Sequence, residues 1–264
     1  MTTDASSSRP LALVTGASSG IGLELARQFA EHGYDLIITA DDARVTDAAA
    51  QLQTLDARIV PVQVDLTSEQ GVDEPIAHVR SADRPLDAAA LNAGVGRGGA
   101  FVDNPLEDEL RIVDLNVRSS IQLAKPLVRE MVARRHGRIL FTSSIASTMP
   151  GPYAAVYNAS KSFVQSFAIA LRDELRGSGV TVTSLMPGPT ETAFFERAVM
   201  TRTNLGKGPK DDPADVARMG YEAMMQGRER VVASSLRSKV QGRSGRLLPD
   251  SLKAALHRWQ AKPR

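Results

Sequence analysis

Tyr157 and Lys161 stand four positions apart in Tyr157-Asn158-Ala159-Ser160-Lys161. On a helix this spacing puts the phenol and the ammonium on one face, a turn apart. A phenol titrates near ~10 and is a poor base at neutral pH. An ammonium on the same face favours the phenolate and is expected to draw that value down. Reaching ~7 takes about 4 kcal/mol, a sum one close charge at intermediate effective dielectric can supply. The same spacing occurs by chance in many helices, so the rest of the chain has to say whether the pair is a site or a solvated face.

A second chemical signal lies near the start. The apolar run Leu11-Ala12-Leu13-Val14 leads directly into Thr15-Gly16-Ala17-Ser18-Ser19-Gly20-Ile21-Gly22, and Ile21, Leu25, Phe29 and Ala30 then recur on one helical face. A strand, a glycine-rich turn and a helix present backbone N–H groups and a positive helix terminus to a pyrophosphate. Asp35-Leu36-Ile37-Ile38-Thr39-Ala40 reads as the next strand and ends at Asp41-Asp42. An acidic residue about twenty positions past the glycine turn is where adenosine ribose hydroxyls are gripped. Asp42 is assigned the cap of a helix over 43–55 and Asp41 the ribose. Arg44 is close by and could instead meet a 2′-phosphate.

The elements that must position these groups alternate. Strands are expected at 58–64, 86–91, 138–142 and 180–186. Helices are expected from Thr67 or Ser68 towards Arg80, over 105–135, and from the Pro150-Gly151-Pro152 loop to about 176, the last carrying Tyr157 and Lys161. This rhythm predicts an α/β fold, a doubly wound parallel sheet of Rossmann type in one domain with helices on both faces. Asn116 falls inside a predicted helix, where asparagine is intrinsically poor, and reads as an exposed position or a local kink.

Composition bounds the function. The 264 residues are 42% apolar and 23% charged with a formal net charge of +2, which suits a globular α/β protein and demands no nucleic acid or other acidic partner. With no cysteine there is no thiol nucleophile and no disulfide, and the scattered His32, His78, His136 and His257 suggest no metal site. Residues 1–9 read as a flexible tail without a signal-peptide core, and no run approaches a membrane span, so a cytoplasmic protein is expected. Beyond 234 the chain turns basic, and Leu248, Leu252, Ala255, Leu256 and Trp259 form an apolar stripe at helical spacing. A terminal helix docked on this subunit or a neighbour is preferred there to an interfacial helix on anionic lipid.

In order along the chain stand Thr15-Gly16-x3-Gly20-x-Gly22, Asp65, Asn92-Ala93-Gly94, Asn116, Ser144, Tyr157-x3-Lys161 and Pro187-Gly188. Over about residues 10–233 the chain resembles the short-chain dehydrogenase/reductase family. The resemblance implies that Tyr157 is a general acid/base and that Lys161 lowers its pKa and binds the nicotinamide ribose. It further implies that Ser144 polarises the substrate oxygen and that Asn116 supports a water and proton relay. Ser18, Ser19 and Ile21 fall within the implied cofactor turn, Asp65 and Leu66 lie near the adenine, and Asn92, Ala93 and Gly94 line the cofactor. Pro187 and Gly188 precede Thr190 and Thr192 near the nicotinamide carboxamide. A lid over about 189–212, with Phe194 and Phe195, and the residues Ala146, Met149 and Tyr153 are expected around a partly apolar alcohol or ketone. Ser19 and Asp41 stand where NADP-preferring relatives carry basic residues, so NAD is favoured and NADP is not excluded. The family also implies a homodimer or homotetramer. A non-catalytic dinucleotide-binding regulator, and an epimerase or dehydratase using bound nicotinamide, are the alternative readings.

Overall fold

The computed structural model describes residues 9–82, 84–233 and 249–262. The tail over 1–8 and the basic stretch over 234–248 lie outside the described residues.

Apolar runs become strands because both faces of the sheet are covered, so every residue of β1 (Leu11–Thr15) and β2 (Asp35–Ala40) is buried. Among the described residues seven strands form one sheet in the order β3-β2-β1-β4-β5-β6-β7, all pairs parallel. The further strands are β3 (Ile59–Gln63), β4 (Leu86–Leu91), β5 (Gly137–Thr142), β6 (Val180–Pro187) and β7 (Arg230–Ala233). Alternation along each strand splits the core in two. Ala12, Val14, Leu36, Ile38 and Leu140 face α1 (Gly20–Glu31), α2 (Arg44–Gln53) and a helix over Pro213–Met225. Leu11, Leu13, Ile37, Ile139 and Phe141 face α3 (Glu69–Ser81), α5 (Ser119–Ala133) and α6 (Ala155–Glu174). Strand order reverses between β1 and β4, and the ligand cleft of such a sheet opens beyond the carboxyl ends at that reversal.

Three features depart from the sequence reading. The short edge strand β7 is additional. The predicted helix over 105–135 is broken into α4 (Leu106–Val113), a π turn (Asp114–Arg118) and α5. Asn116 lies in that π turn and is 1% exposed, so the exposed position expected as one reading is overturned, while the other reading, a local distortion of the helix, is what forms. Ser119 and Ser120 donate back to the carbonyls of Leu115 and Asn116, which suits this widened turn.

The stretch over 189–212, expected as a lid, forms α7 (Phe194–Arg197) and α8 (Asn204–Lys207), followed by α9 (Pro213–Met225) with its Asp212 cap. A helix α10 (Asp250–Ala261) docks on α8. The docking face is not the predicted stripe. His257 and Ala261 are the buried residues of α10, whereas Leu252, Leu256 and Trp259 are exposed. The helix is seated by polar contacts to backbone oxygens, from Asn204 Nδ2 to the Trp259 carbonyl (2.9 Å) and from His257 Nδ1 to the Pro152 carbonyl (3.0 Å).

Candidate active site

A cleft of about 1010 Å³ lies at the carboxyl end of the sheet. The chain leaves β1 through Gly16 (φ +67°) and enters α1 at Gly20 (φ +58°), left-handed conformations that glycine adopts without steric cost. A Cβ on Gly22 would lie 2.0 Å from the Gly16 carbonyl oxygen, so the helix packs on the turn only because that side chain is missing. Gly16, Ser18, Ser19, Gly20, Ile21 and Gly22 all line the cleft. The Ser19 side chain makes no cap bond, so the first backbone donors of α1 are available to an anion. This donor set fits a dinucleotide pyrophosphate.

Asn92 ties three strand ends together. Its Nδ2 donates to the Thr15 carbonyl (3.1 Å) and its Oδ1 accepts from Thr142 Oγ1 (3.0 Å), while Thr15 Oγ1 accepts from the N–H groups of Asn92 and Ala93. Asp41, Asp65 and Leu66, past the ends of β2 and β3, also line the cleft. Asp42 holds the start of α2 by accepting from Arg44 N–H (3.0 Å), although the N-cap position itself is Ala43. The Arg44 guanidinium and the Ser18 hydroxyl bond the same carboxylate, and the Arg44 bond is the main reason it titrates at about 2. Arg44 is thereby tied to Asp42.

A different arginine meets Asp41. Arg111, on α4, bonds Asp41 (3.2 Å) and Asp65 (3.1 Å) at once and lines the cleft. Burial pushes the Asp65 carboxyl up, but bonds from Thr67 and Arg111 outweigh it and hold it below the usual carboxylate range. Asp65 therefore serves its local turn and the cleft together.

The reactive end is built on α6. Ser144, Tyr157 and Lys161 line the cleft; the Ser144 hydroxyl donates to the Pro187 carbonyl (3.4 Å), accepts from the Ala146 N–H (3.1 Å), and lies near enough to Tyr157 to act on its titration. Lys161 is 5% exposed, and its Nζ donates to the Thr142 carbonyl (2.9 Å) and lies 6.0 Å from the centre of the Tyr157 ring. The expected lowering of the Tyr157 pKa is not what this arrangement produces. Burial pushes the phenol up to about 12, with Ser144 acting the other way, and burial brings Lys161 down to about 8. Desolvation disfavours both charged forms and sets the direction of both shifts.

Asn116 is behind the cleft wall and does not line it. Its amide bonds the Val95 N–H and carbonyl and donates to Ser160 Oγ, all at 2.9 Å. Ser160 in turn donates to the Tyr157 carbonyl (2.7 Å), so Asn116 braces the helix that carries the tyrosine. A Cβ on Gly94 would come within 3.1 Å of both Asn116 Oδ1 and Lys161 Nζ.

Ala93, Gly94, Pro187, Gly188, Thr190 and Thr192 line the cleft, as do Ala146, Met149, Phe194 and Phe195. Tyr153 does not: it packs beside Phe195, Ala198 and Met200, with φ +66°. Besides Arg111, four residues to which the sequence reading gave no site role shape the site. Gly96 leaves room for Phe194 against the Tyr157 ring, 5.2 Å between centroids, because a Cβ there would be 2.7 Å from the Phe194 ring. Asn158, next to the tyrosine, donates to the carbonyls of Ala146 and Met149 and so fixes the loop after Ser144. His257 and Gln260 of α10 line the mouth, together with Leu256 and Trp259. Only the glycine carried a local signal, through its place after Asn92-Ala93-Gly94. Among the described residues no group of three or more His, Asp or Glu could hold a metal ion, and no helix is long and apolar enough to cross a membrane.

The family model described as short chain dehydrogenase matches residues 10–202. An uncharacterized short-chain type dehydrogenase/reductase of Sinorhizobium fredii is 36% identical over 75% of this chain and 74% of its own. A short-chain dehydrogenase from Sphingobium yanoikuyae, solved in complex with NADPH, superposes with a TM-score of 0.80 at 26% identity, covering 90% of this chain and 93% of that one. A 3-ketoacyl-(acyl-carrier-protein) reductase from Brucella melitensis, complexed with NADH, gives 0.75 at 27% identity over 85% and 97%. A seven-stranded parallel sheet, a glycine turn at its switch point and these matches lead to one conclusion: the chain belongs to the short-chain dehydrogenase/reductase family of oxidoreductases.

Proposed function

We propose that the protein reduces a partly apolar ketone to a secondary alcohol, and runs the reverse oxidation, with NAD as its preferred partner and Tyr157 as the general acid and base. The observation that carries this reading is that Ser144, Tyr157 and Lys161 line one dinucleotide-sized cleft together, with the Lys161 ammonium 6.0 Å from the centre of the tyrosine ring. Gly16 to Gly22 would hold the pyrophosphate, Asp41 the adenosine ribose, Asp65 and Leu66 the adenine face, Lys161 the second ribose, and Thr190 and Thr192 the carboxamide. A bound nicotinamide dinucleotide supplies or accepts the hydride.

The chain's own residues handle the proton. As a carbonyl is reduced, negative charge builds on its oxygen, and the Ser144 and Tyr157 hydroxyls are placed to meet it. Tyr157 gives up its proton there, and Lys161, one turn away, supports the phenolate that forms. A phenol held at about 12 is fully protonated at neutral pH, which favours its use as the acid and hence the reductive direction. Oxidation needs the phenolate and is expected to speed up with rising pH. Phe194, Phe195 and Met149 give the substrate end its apolar walls. Exposed Leu106, Leu110, Val113, Ile121 and Phe163 on α4, the π turn's flank, α5 and α6 support a pairing surface for a homo-oligomer.

The test monitors the absorbance of reduced nicotinamide with a panel of bulky ketones and secondary alcohols in both directions. Turnover that is abolished by Tyr157→Phe is expected. No turnover in either direction with any member, despite measured dinucleotide binding, would leave the regulator reading standing instead.

A further inference from the structure

Helix α10 is inside out for a helix on a water-exposed surface. Its buried side carries His257 (5% exposed) and Ala261 (0%), and its outward side carries Leu252 (55%), Leu256 (40%) and Trp259 (63%). At 100° per residue, positions 252, 256 and 259 fall within one narrow sector, opposite 257 and 261. An amphipathic surface helix turns its apolar stripe to the core. Here the core is met by polar contacts to the Trp259 and Pro152 carbonyls, and the stripe is left outside. The stretch over 189–212 adds to this end of the molecule. Val199, between Ala198 and Met200 that pack with Ala261, is 55% exposed.

The sequence that carries α10 is also basic. From position 234 onward the sequence has eight Lys and Arg against Asp250 alone, whereas the first 233 residues have 24 against 29 acidic ones. Within α10 the exposed Arg258 lies on the side between Trp259 and the buried Ala261, Lys262 comes just after the helix, and Lys207 is exposed on the neighbouring α8. Apolar side chains with cations nearby, on a helix lying flat against the body, match the chemistry of an anionic lipid surface.

We propose that α10 docks this protein on anionic membranes through Leu252, Leu256 and Trp259. This goes beyond the assigned reaction and does not depend on it. Leu256 and Trp259 also line the mouth of the cleft, so docking would open that mouth towards lipid and favour a substrate that partitions there.

Trp259 is the only tryptophan, so its emission reports on this helix alone. Full-length protein is mixed with vesicles of phosphatidylcholine, or of phosphatidylcholine with an equal part of phosphatidylglycerol. A blue shift and sedimentation with the anionic vesicles only, reversed by salt, is the expected result. Leu252→Gln combined with Arg258→Gln, two positions outside the cleft, should weaken partitioning about tenfold. Its thermal midpoint should match the wild type, which separates lost docking from lost folding. No shift and no sedimentation with either vesicle would overturn the proposal. Equal binding to neutral vesicles would overturn it too, as would a shift produced by raising the protein concentration without lipid, which would make a second copy of the chain the occupant.

Discussion

Asn116 and Val95 exchange two hydrogen bonds of 2.9 Å, the side-chain amide of one standing in for a peptide group opposite the backbone of the other. With Ser160 as third partner, both amide hydrogens and one oxygen lone pair are used within the protein. Asn116→Ala leaves the Val95 groups and the Ser160 hydroxyl short of partners and should cost about 2 kcal/mol. A lower denaturation midpoint at unchanged slope checks this. An unmoved midpoint would show that the brace contributes nothing to stability.

Lys161 is expected to trade stability for chemistry. Its value of about 8 lies below the 10.5 of an ordinary lysine, so below pH 8 the folded state carries the full cost of a buried ammonium. That cost fades as pH rises from the folded value to the unfolded one, because the unfolded chain then binds more proton than the folded chain. Lys161→Met removes the ammonium and leaves the Thr142 carbonyl without its donor, for a net gain of about 2 kcal/mol near neutrality. Thermal melts of both proteins should differ most at pH 7 and converge towards pH 10, with activity lost throughout. A variant less stable than wild type at pH 7 would contradict this.

Tyr157→Phe should abolish turnover and leave dinucleotide affinity within a few-fold, since the hydroxyl acts on the proton and the ring packs on Phe194. More than a tenth of the wild-type rate would sink the assignment. With the phenol pushed up to about 12, reduction should show no tyrosine-dependent decline between pH 6 and 9, while oxidation climbs. A reduction rate that falls across neutrality in wild type but not when Ser144 is replaced by alanine would mean that the phenol ionises there.

Two carboxylates sharing Arg111 leave the adenosine end with one net negative charge from these three groups. A 2′-phosphate is repelled by Asp41, yet Arg111 lies within reach of the same oxygens and softens that repulsion. Arg111→Leu should therefore lower NADP affinity about tenfold and change NAD affinity by less than threefold, measured by calorimetric titration. If NADP binds wild type more tightly than NAD does, Asp41 is not the discriminating group.

Much of the sheet was legible because a strand buried on both faces must be a continuous apolar run, as in Leu36-Ile37-Ile38. The edge strand Arg230–Ala233 was not, since it has four residues, begins exposed and pairs on one side only. The glycine turn and the Tyr157–Lys161 spacing are local patterns, and the structure brings both to one cleft. Arg111 reaches Asp41 from 70 positions away, a relationship with no periodicity to betray it. The stripe of α10 was legible as a pattern, but pattern alone does not say which side of a helix meets the protein. The lowered tyrosine value failed for a similar reason: spacing reports proximity and is silent on dehydration, which decides the sign.

The widened turn at Asp114–Arg118 amounts to one residue more than a regular helix would use over the same span. Deleting Val117 would give the chain a smoother cylinder from Leu106 to Ala133 and rotate α4 by about 100° relative to α5. Asn116 would leave Val95, and Arg111 would swing away from the two aspartates. A shorter, more regular protein of this kind should melt earlier than its parent, because the Asn116 brace is lost, and should also lose its hold on the dinucleotide. The irregularity is thus a register setting, and its worth is counted in alignment of the cleft, not in the strength of the helix.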